Sequence, residues 1–124
     1  MDSRSQRPVL VVDDDEDVRD TMEMILSDEG FPVATARNGL EALAVVDTDQ
    51  PRLILLDMRM PVMDGWEFAH TYRARPGPHA PIVVVTAAAD ARERAKQIHA
   101  VDFLAKPFDF DELVRIVHQF FRAA

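Results

Sequence analysis

Three unbroken apolar runs constrain this chain more than anything else in it. A half-wet strand would alternate apolar and polar residues, but Val9-Leu10-Val11-Val12, Leu53-Ile54-Leu55-Leu56 and Ile82-Val83-Val84-Val85 leave no polar alternate position. Strands of this kind must be covered on both faces, as in a parallel sheet between two layers of helices. Between and after the runs, apolar residues recur at helical spacing. Val18, Met22, Ile25 and Leu26 form one stripe, Leu40, Leu43 and Val45 or Val46 a second, and Phe68, Ala69 and Tyr72 a third.

Read in order, the chain alternates strand and helix five times. A polar arm, Met1 to Arg7, is expected to be frayed. The first strand begins at Pro8 and its helix stops at Gly30. Phe31 to Thr35 forms a second strand, placed at an edge by Pro32. Asn38-Gly39 marks a turn before a helix over Leu40 to Asp47, and the third strand runs from Leu53 to Asp57. A helix over Gly65 to Ala74 and a strand over Pro81 to Thr86 follow. A helix over Ala91 to Ala100, a strand over Val101 to Leu104 and a helix over Asp109 to Arg122 close the chain. Asp109 with Glu112 three residues on is close to a capping box. The pattern predicts a doubly wound α/β domain with helices on both faces of a parallel sheet.

Composition narrows the partners. Fourteen basic and 22 acidic residues give a formal charge of −8, which disfavours direct contact with a nucleic-acid backbone. There is no cysteine, hence no disulfide and no thiolate chemistry. No stretch reads as a signal peptide or a membrane span, so the expectation is a cytoplasmic protein.

The chemistry gathers at strand ends. The first strand runs into Asp13-Asp14, the third into Asp57 and the fourth into Thr86, while Lys106-Pro107 follows the fifth. Parallel strands deliver all of these to one edge, the edge where open α/β sheets bind ligands. Neighbouring carboxylates need a counter-charge, and a hard divalent cation such as Mg²⁺ takes oxygen ligands. With a lysine and a hydroxyl added, the set suits the formation of an aspartyl phosphate, in which positioning and charge neutralisation do most of the catalysis. The blander readings are that Asp13 and Asp14 cap a helix, and that Thr86 and Lys106 are an ordinary strand hydroxyl and a solvated lysine. Two adjacent acids at the end of a buried strand favour the metal.

In these motifs the chain resembles the receiver domain of two-component response regulators. The matching residues are Val11-Val12-Asp13-Asp14, Asp57 with Met60-Pro61 and Asp64-Gly65, Val85-Thr86-Ala87, and Lys106-Pro107-Phe108, spread from Pro8 to Arg122. The resemblance implies a five-stranded flavodoxin-like sheet in the order 2-1-3-4-5. It implies Asp57 as phosphoacceptor, with Mg²⁺ or Mn²⁺ held by Asp14, Asp13, Asp57 and the backbone carbonyl of Arg59. Thr86 and Lys106 would contact the phosphoryl group, and Thr86 with Phe103 would form the switch. Lys106-Pro107 looks like the family's cis peptide, and Arg59 and Ala88 stand where the family tunes phosphate lifetime.

It further implies a phosphohistidine donor, on a sensor histidine kinase or a histidine phosphotransfer protein, and a downstream protein target. The expected protein is a stand-alone receiver without an output domain, a monomer or weak dimer that catalyses only its own phosphorylation and dephosphorylation. Three alternatives compete with it. A haloacid-dehalogenase-like phosphatase would want Gly-Thr after its first acids, which Asp13-Asp14-Asp15 lacks. A flavodoxin-like binder needs a phosphate loop that these acids would repel. A degenerate receiver that binds partners without phosphorylation would lack one of the key residues.

Some features depart from the family. The stretch from Thr86 to Lys106 is about two residues short, so the fourth helix should be short or its leading loop tight. Ala100-Val101 stands where a glycine is usual. Trp66 should pack, the methionines should fill the core, and His70, His79, His99 and His118 should lie on the surface. On the last helix Phe110, Leu113, Val114, Val117 and Phe121 form one apolar side, and one of Phe120 and Phe121 should be exposed.

Overall fold

The computed structural model describes residues 7–87 and 89–121. Strand and helix alternate as β1 (Val9–Val12), α1 (Glu16–Asp28), β2 (Val33–Ala36), α2 (Gly39–Asp49), β3 (Leu53–Leu56), α3 (Gly65–Ala74), β4 (Ile82–Ala87), α4 (Ala91–Gln97), β5 (Asp102–Lys106) and α5 (Phe110–Phe121). The strands are parallel and lie in the order β2-β1-β3-β4-β5, which is the expected order. None of the helices described is long and apolar enough to cross a membrane.

The unbroken apolar runs sit where burial on two faces is required. β1 and β3, each flanked by neighbours, are buried at every residue, whereas the edge strands β2 and β5 are mostly half-buried. Alternate side chains serve two separate cores. Val9, Val11, Leu53, Leu55, Val83 and Val85 pack against α1 and α5 through Met22, Leu26, Leu113 and Val117. Leu10, Val12, Ile54, Leu56, Ile82 and Val84 pack on the other side with Leu43, Val46, Phe68, Ala95 and Ile98 of α2, α3 and the end of α4.

The starts of α1, α2 and α3 are capped by short polar side chains. Asp15 accepts from the N–H groups of Asp17 and Val18, Asn38 from Glu41, and Asp64 from Glu67. Each such cap contributes about 1 kcal/mol. At α5 the Glu112 carboxylate reaches back to the Asp109 N–H at 3.2 Å, the return half of a capping box. Gly30, at φ +91°, ends α1 as expected.

Several expectations need correction. Asn38-Gly39 is the start of α2, not a separate turn, and Leu40 is 57% exposed. The inward stripe is Gly39, Ala42, Leu43 and Val46, so Leu40 is out of phase with it. Met24 is exposed for the same reason, lying off the Met22, Ile25, Leu26 stripe, whereas Met22, Met58 and Met60 are buried. On α5 both Phe120 and Phe121 are half-buried, and the exposed aromatic is Phe110, in the first turn of the helix. Phe121 packs its ring 4.9 Å from that of Phe31, with the Arg52 guanidinium 5.1 Å from its centre. Of the expected N-terminal arm, residues 1–6 lie outside the described residues, as does Arg122, but Arg7 is tied down by bonds to the carbonyls of Gln50 and Pro51.

The fourth helix is short, as its spacing predicts, and ends at Gln97 rather than Ala100. His99 then takes a positive φ of 53°, in the stretch that lacks the usual glycine. The Arg73 guanidinium of α3 donates to the carbonyls of Ile98 and His99, which clamps the end of α4. β5 starts one residue later than expected and runs on to Lys106, because Ala105 and Lys106 still pair with Thr86 and Ala87.

One close approach governs where α3 begins. A Cβ on Gly65 would stand 2.6 Å from Met58 Sδ and 2.8 Å from the Asp57 carbonyl oxygen. A Gly65→Ala substitution should therefore destabilise the protein by about 1–3 kcal/mol, the usual cost of overpacking. Urea unfolding of the two proteins checks this, and an unchanged midpoint would show that the contact relaxes freely.

Candidate functional site

The strand register brings the predicted residues to one edge of the sheet. Val12 pairs with Leu56, and Leu56 with Val84, so β1 and β3 end level and β4 runs on past them. Asp13 and Asp57 each follow the last residue of a strand. The Asp57 N–H donates to the Val12 carbonyl at 2.9 Å, which fixes the two strand ends together. Asp13, Asp57 and Thr86 are the buried polar residues at this edge. Asp14 is exposed, yet one oxygen from each of Asp13, Asp14 and Asp57 lies within 4.8 Å of the others.

Lys106 reaches this group from β5. Its Nζ donates to Asp13 Oδ2 at 2.7 Å and lies 3.5 Å from Asp57 Oδ2. Asp13 is thus the nearer partner of Lys106, a pairing that the order of strand ends does not predict. Burial alone would weaken the ammonium, but the hydrogen bond and charge of Asp13, with Asp57 behind them, outweigh it and raise the Lys106 pKa. Burial, and after it the Asp13 charge, push the Asp57 carboxyl above its ordinary value. Lys106 and the Arg59 backbone N–H pull it back only in part.

Three acids against one lysine leave negative charge in a half-closed site. This donor set fits a hard divalent cation, since it offers only carboxylate oxygens around one point. Arg59 follows the acid pocket with its side chain exposed. Phe103 is half-buried on β5, packed against the α2–α4 core, with the Arg92 guanidinium 5.2 Å from its ring centre. The Lys106-Pro107 peptide is cis, and so is Gly77-Pro78, for which the surface-loop composition gives no sign. Ala88 lies outside the described residues.

The loop that leaves Asp57 is held tightly. Met63 N–H donates to the Pro61 carbonyl at 2.8 Å, closing a three-residue turn with Val62 at φ +71°. A β-branched residue rarely stands there, and such strain costs of order 1–3 kcal/mol. The Gly39 N–H donates to the Met63 carbonyl at 2.9 Å and ties this loop to the start of α2. Trp66, at the start of α3, packs as expected and also bonds. Its indole N–H donates to Gln97 of α4 at 2.9 Å, and the Arg94 guanidinium stands 4.9 Å from its ring centre. All four histidines are exposed.

The family model of the response regulator receiver domain matches residues 9–118. The chain belongs to that family. An uncharacterized 14.6 kDa protein of Leptolyngbya boryana is 39% identical over 123 residues, covering 97% of this chain and 94% of that protein. Response regulator MprA of Mycobacterium avium is 40% identical over 108 residues, 86% of this chain but 47% of the relative, so the chain spans about half the length of that protein. Among solved structures, the receiver domain of NtrX from Brucella abortus superposes with a TM-score of 0.83 at 32% identity, covering 94% of this chain and 99% of that one. Chemotaxis response regulator CheY4 of Vibrio cholerae gives 0.82 at 31% identity, covering 93% and 98%. The domain is thus a receiver of two-component signalling, with the fold that its sequence predicts.

The raised Asp57 pKa has a consequence for stability. The folded state holds the Asp57 proton more tightly than the unfolded chain does. Its contribution is therefore favourable at low pH and is lost as pH rises through the folded-state value. Metal-free Asp57→Asn should melt above the wild type at neutral pH, with the difference shrinking as pH falls into the carboxylate range. Thermal melts across pH in the presence of a chelator check this, and a constant difference would contradict it.

Proposed function

We propose that this receiver accepts a phosphoryl group on Asp57 from a phosphohistidine donor and thereby switches a protein-binding surface. The observation that supports it most is the meeting of Asp13, Asp14 and Asp57 within 4.8 Å with Lys106 bonded among them. A purely structural acid cluster would gain nothing from leaving this much charge uncompensated at a sheet edge.

In this reading Asp14, Asp13 and Asp57, with the Arg59 backbone carbonyl, hold Mg²⁺ or Mn²⁺. The ion supplies neutralisation of charge on the transferring phosphoryl group. An Asp57 carboxylate oxygen attacks phosphorus, a P–O bond forms as the P–N bond to the donor imidazole breaks, and the departing ring nitrogen is left to take up a proton. Asp57 must be ionised to attack, and a cation among the acids together with the Lys106 ammonium would favour that ionised form against the burial and the Asp13 charge that oppose it. Lys106 exchanges part of its hold on Asp13 for a phosphoryl oxygen, to which it serves as a point charge. Thr86 donates its hydroxyl to another oxygen and draws the start of the β4–α4 loop toward the site. Phe103 follows, leaving Arg92. Arg59 and Ala88 set the lifetime of the phosphate.

The domain acts on itself and turns over no free substrate. A histidine kinase or phosphotransfer protein supplies the group, a protein target reads the result, and the chain works in the cytoplasm as a monomer or weak dimer. Its charge of −8 argues against direct nucleic-acid contact. A phosphatase reading has no supporting observation.

Incubation with a small acyl phosphate and Mg²⁺ should add one phosphoryl group by intact mass. Asp57→Ala and a chelator should each abolish it, and Lys106→Ala should leave a small fraction of the wild-type rate. An unlabelled wild type, or a labelled Asp57→Ala, would reject the reading. Sustained release of phosphate from added phosphomonoesters would favour a hydrolase instead.

A further inference from the structure

Asp14 poses a problem that its own side chain does not solve. It is exposed, and among the described residues no hydrogen bond or ion pair holds its carboxylate, yet that carboxylate already lies with those of Asp13 and Asp57. Two like charges nearby should turn it outward to water. The restraint must therefore come from the backbone that aims it.

The Asp13–Asp14 peptide is fixed from an unexpected side. The guanidinium of Arg19, a half-buried residue of α1, donates from Nη1 to the Asp13 carbonyl oxygen at 2.8 Å. That oxygen belongs to the peptide plane that leads into Asp14, so holding it sets the rotation about the bonds that place the Asp14 side chain. Arg19 is itself anchored, since its N–H donates to the carbonyl of the N-cap residue Asp15 at 2.9 Å. Helical side chains lean toward the N-terminus of their helix, which carries the guanidinium back over the turn. The other restraints act on either side of the plane. The Asp13 N–H donates to the Ala36 carbonyl at 3.1 Å, and the Asp15 N–H to Asp13 Oδ1 at 2.9 Å.

We propose that Arg19 is a positioning residue of the metal site, pre-aiming Asp14 through the Asp13–Asp14 peptide. This rests on the reading of the three acids as a divalent-cation site. Two effects of Arg19 on a cation have opposite signs. As a positive charge it opposes cation binding, though that influence is screened by salt and shared with Glu41, whose carboxyl is held low by Arg37 first and by Arg19 in smaller part. As a donor to the turn it favours binding, because residues that orient metal ligands typically govern affinity strongly. Orientation dominates here, since Asp14 has no other side-chain support among the described residues.

Mn²⁺ titrations by calorimetry, on the full chain without phosphodonor, separate the two. R19M should weaken Mn²⁺ binding by about tenfold, the lower end for an orienting partner. R19K, which can still donate a single bond, should recover much of the loss. R37M removes a nearby charge without touching the turn and should not weaken binding. Metal-free melts identify any variant that fails to fold, and R19Q, polar but too short to reach, replaces R19M in that event. Unchanged or tighter binding by R19M, or equal weakening by R37M, overturns the role of Arg19 while leaving the metal site intact. No Mn²⁺ binding by the wild type overturns both.

Discussion

Repulsion among three carboxylates is the constraint that the rest of this molecule answers to. Asp13, Asp14 and Asp57 would separate if the chain allowed it, and a single lysine does not balance them. The sheet resists by placing two of the acids directly after strands that are hydrogen-bonded at their ends, with β1 and β3 buried throughout. Part of the fold's stability therefore goes into holding a site that is unfavourable on its own. Apolar burial on both sheet faces offsets that cost, at ~25 cal/mol for each Å² of apolar surface removed from water.

Much of this arrangement could be read from sequence because it depends on local pattern. Leu53-Ile54-Leu55-Leu56 names a central strand by lacking any polar alternate, and Asp57 then follows at the strand's carboxyl end. Parallel topology supplies the remainder, since it sends Asp13, Asp57, Thr86 and Lys106 to the same edge. Features that depend on phase or on register were not legible. Leu40 and Phe110 belong to apolar helices, but their exposure depends on where each helix begins relative to the sheet. The bond from Lys106 to Asp13 joins residues 93 positions apart and follows from the pairing of Ala87 with Lys106. Arg19 gave a weak signal, an arginine four residues past a helix cap, which becomes meaningful only once the turn it reaches is known.

The two loops that leave the site are not independent. β3 leads through the strained turn at Val62 into α3, and β4 leads into α4. Arg73 holds the far end of α4, while Arg94 and Gln97 meet Trp66 near the start of α3. A seven-residue helix is about 10 Å long and has little interior of its own, so these contacts decide where it sits.

Trp66 is the only tryptophan in the chain, and it stands at this junction with its indole N–H bonded to α4 and a guanidinium over its face. Both contacts bear on the excited state of an indole, one through the polarity at its nitrogen and one through a charge above the ring. The protein therefore carries an unlabelled optical gauge of the α3–α4 distance, read at a single emission band with no second indole to confuse it.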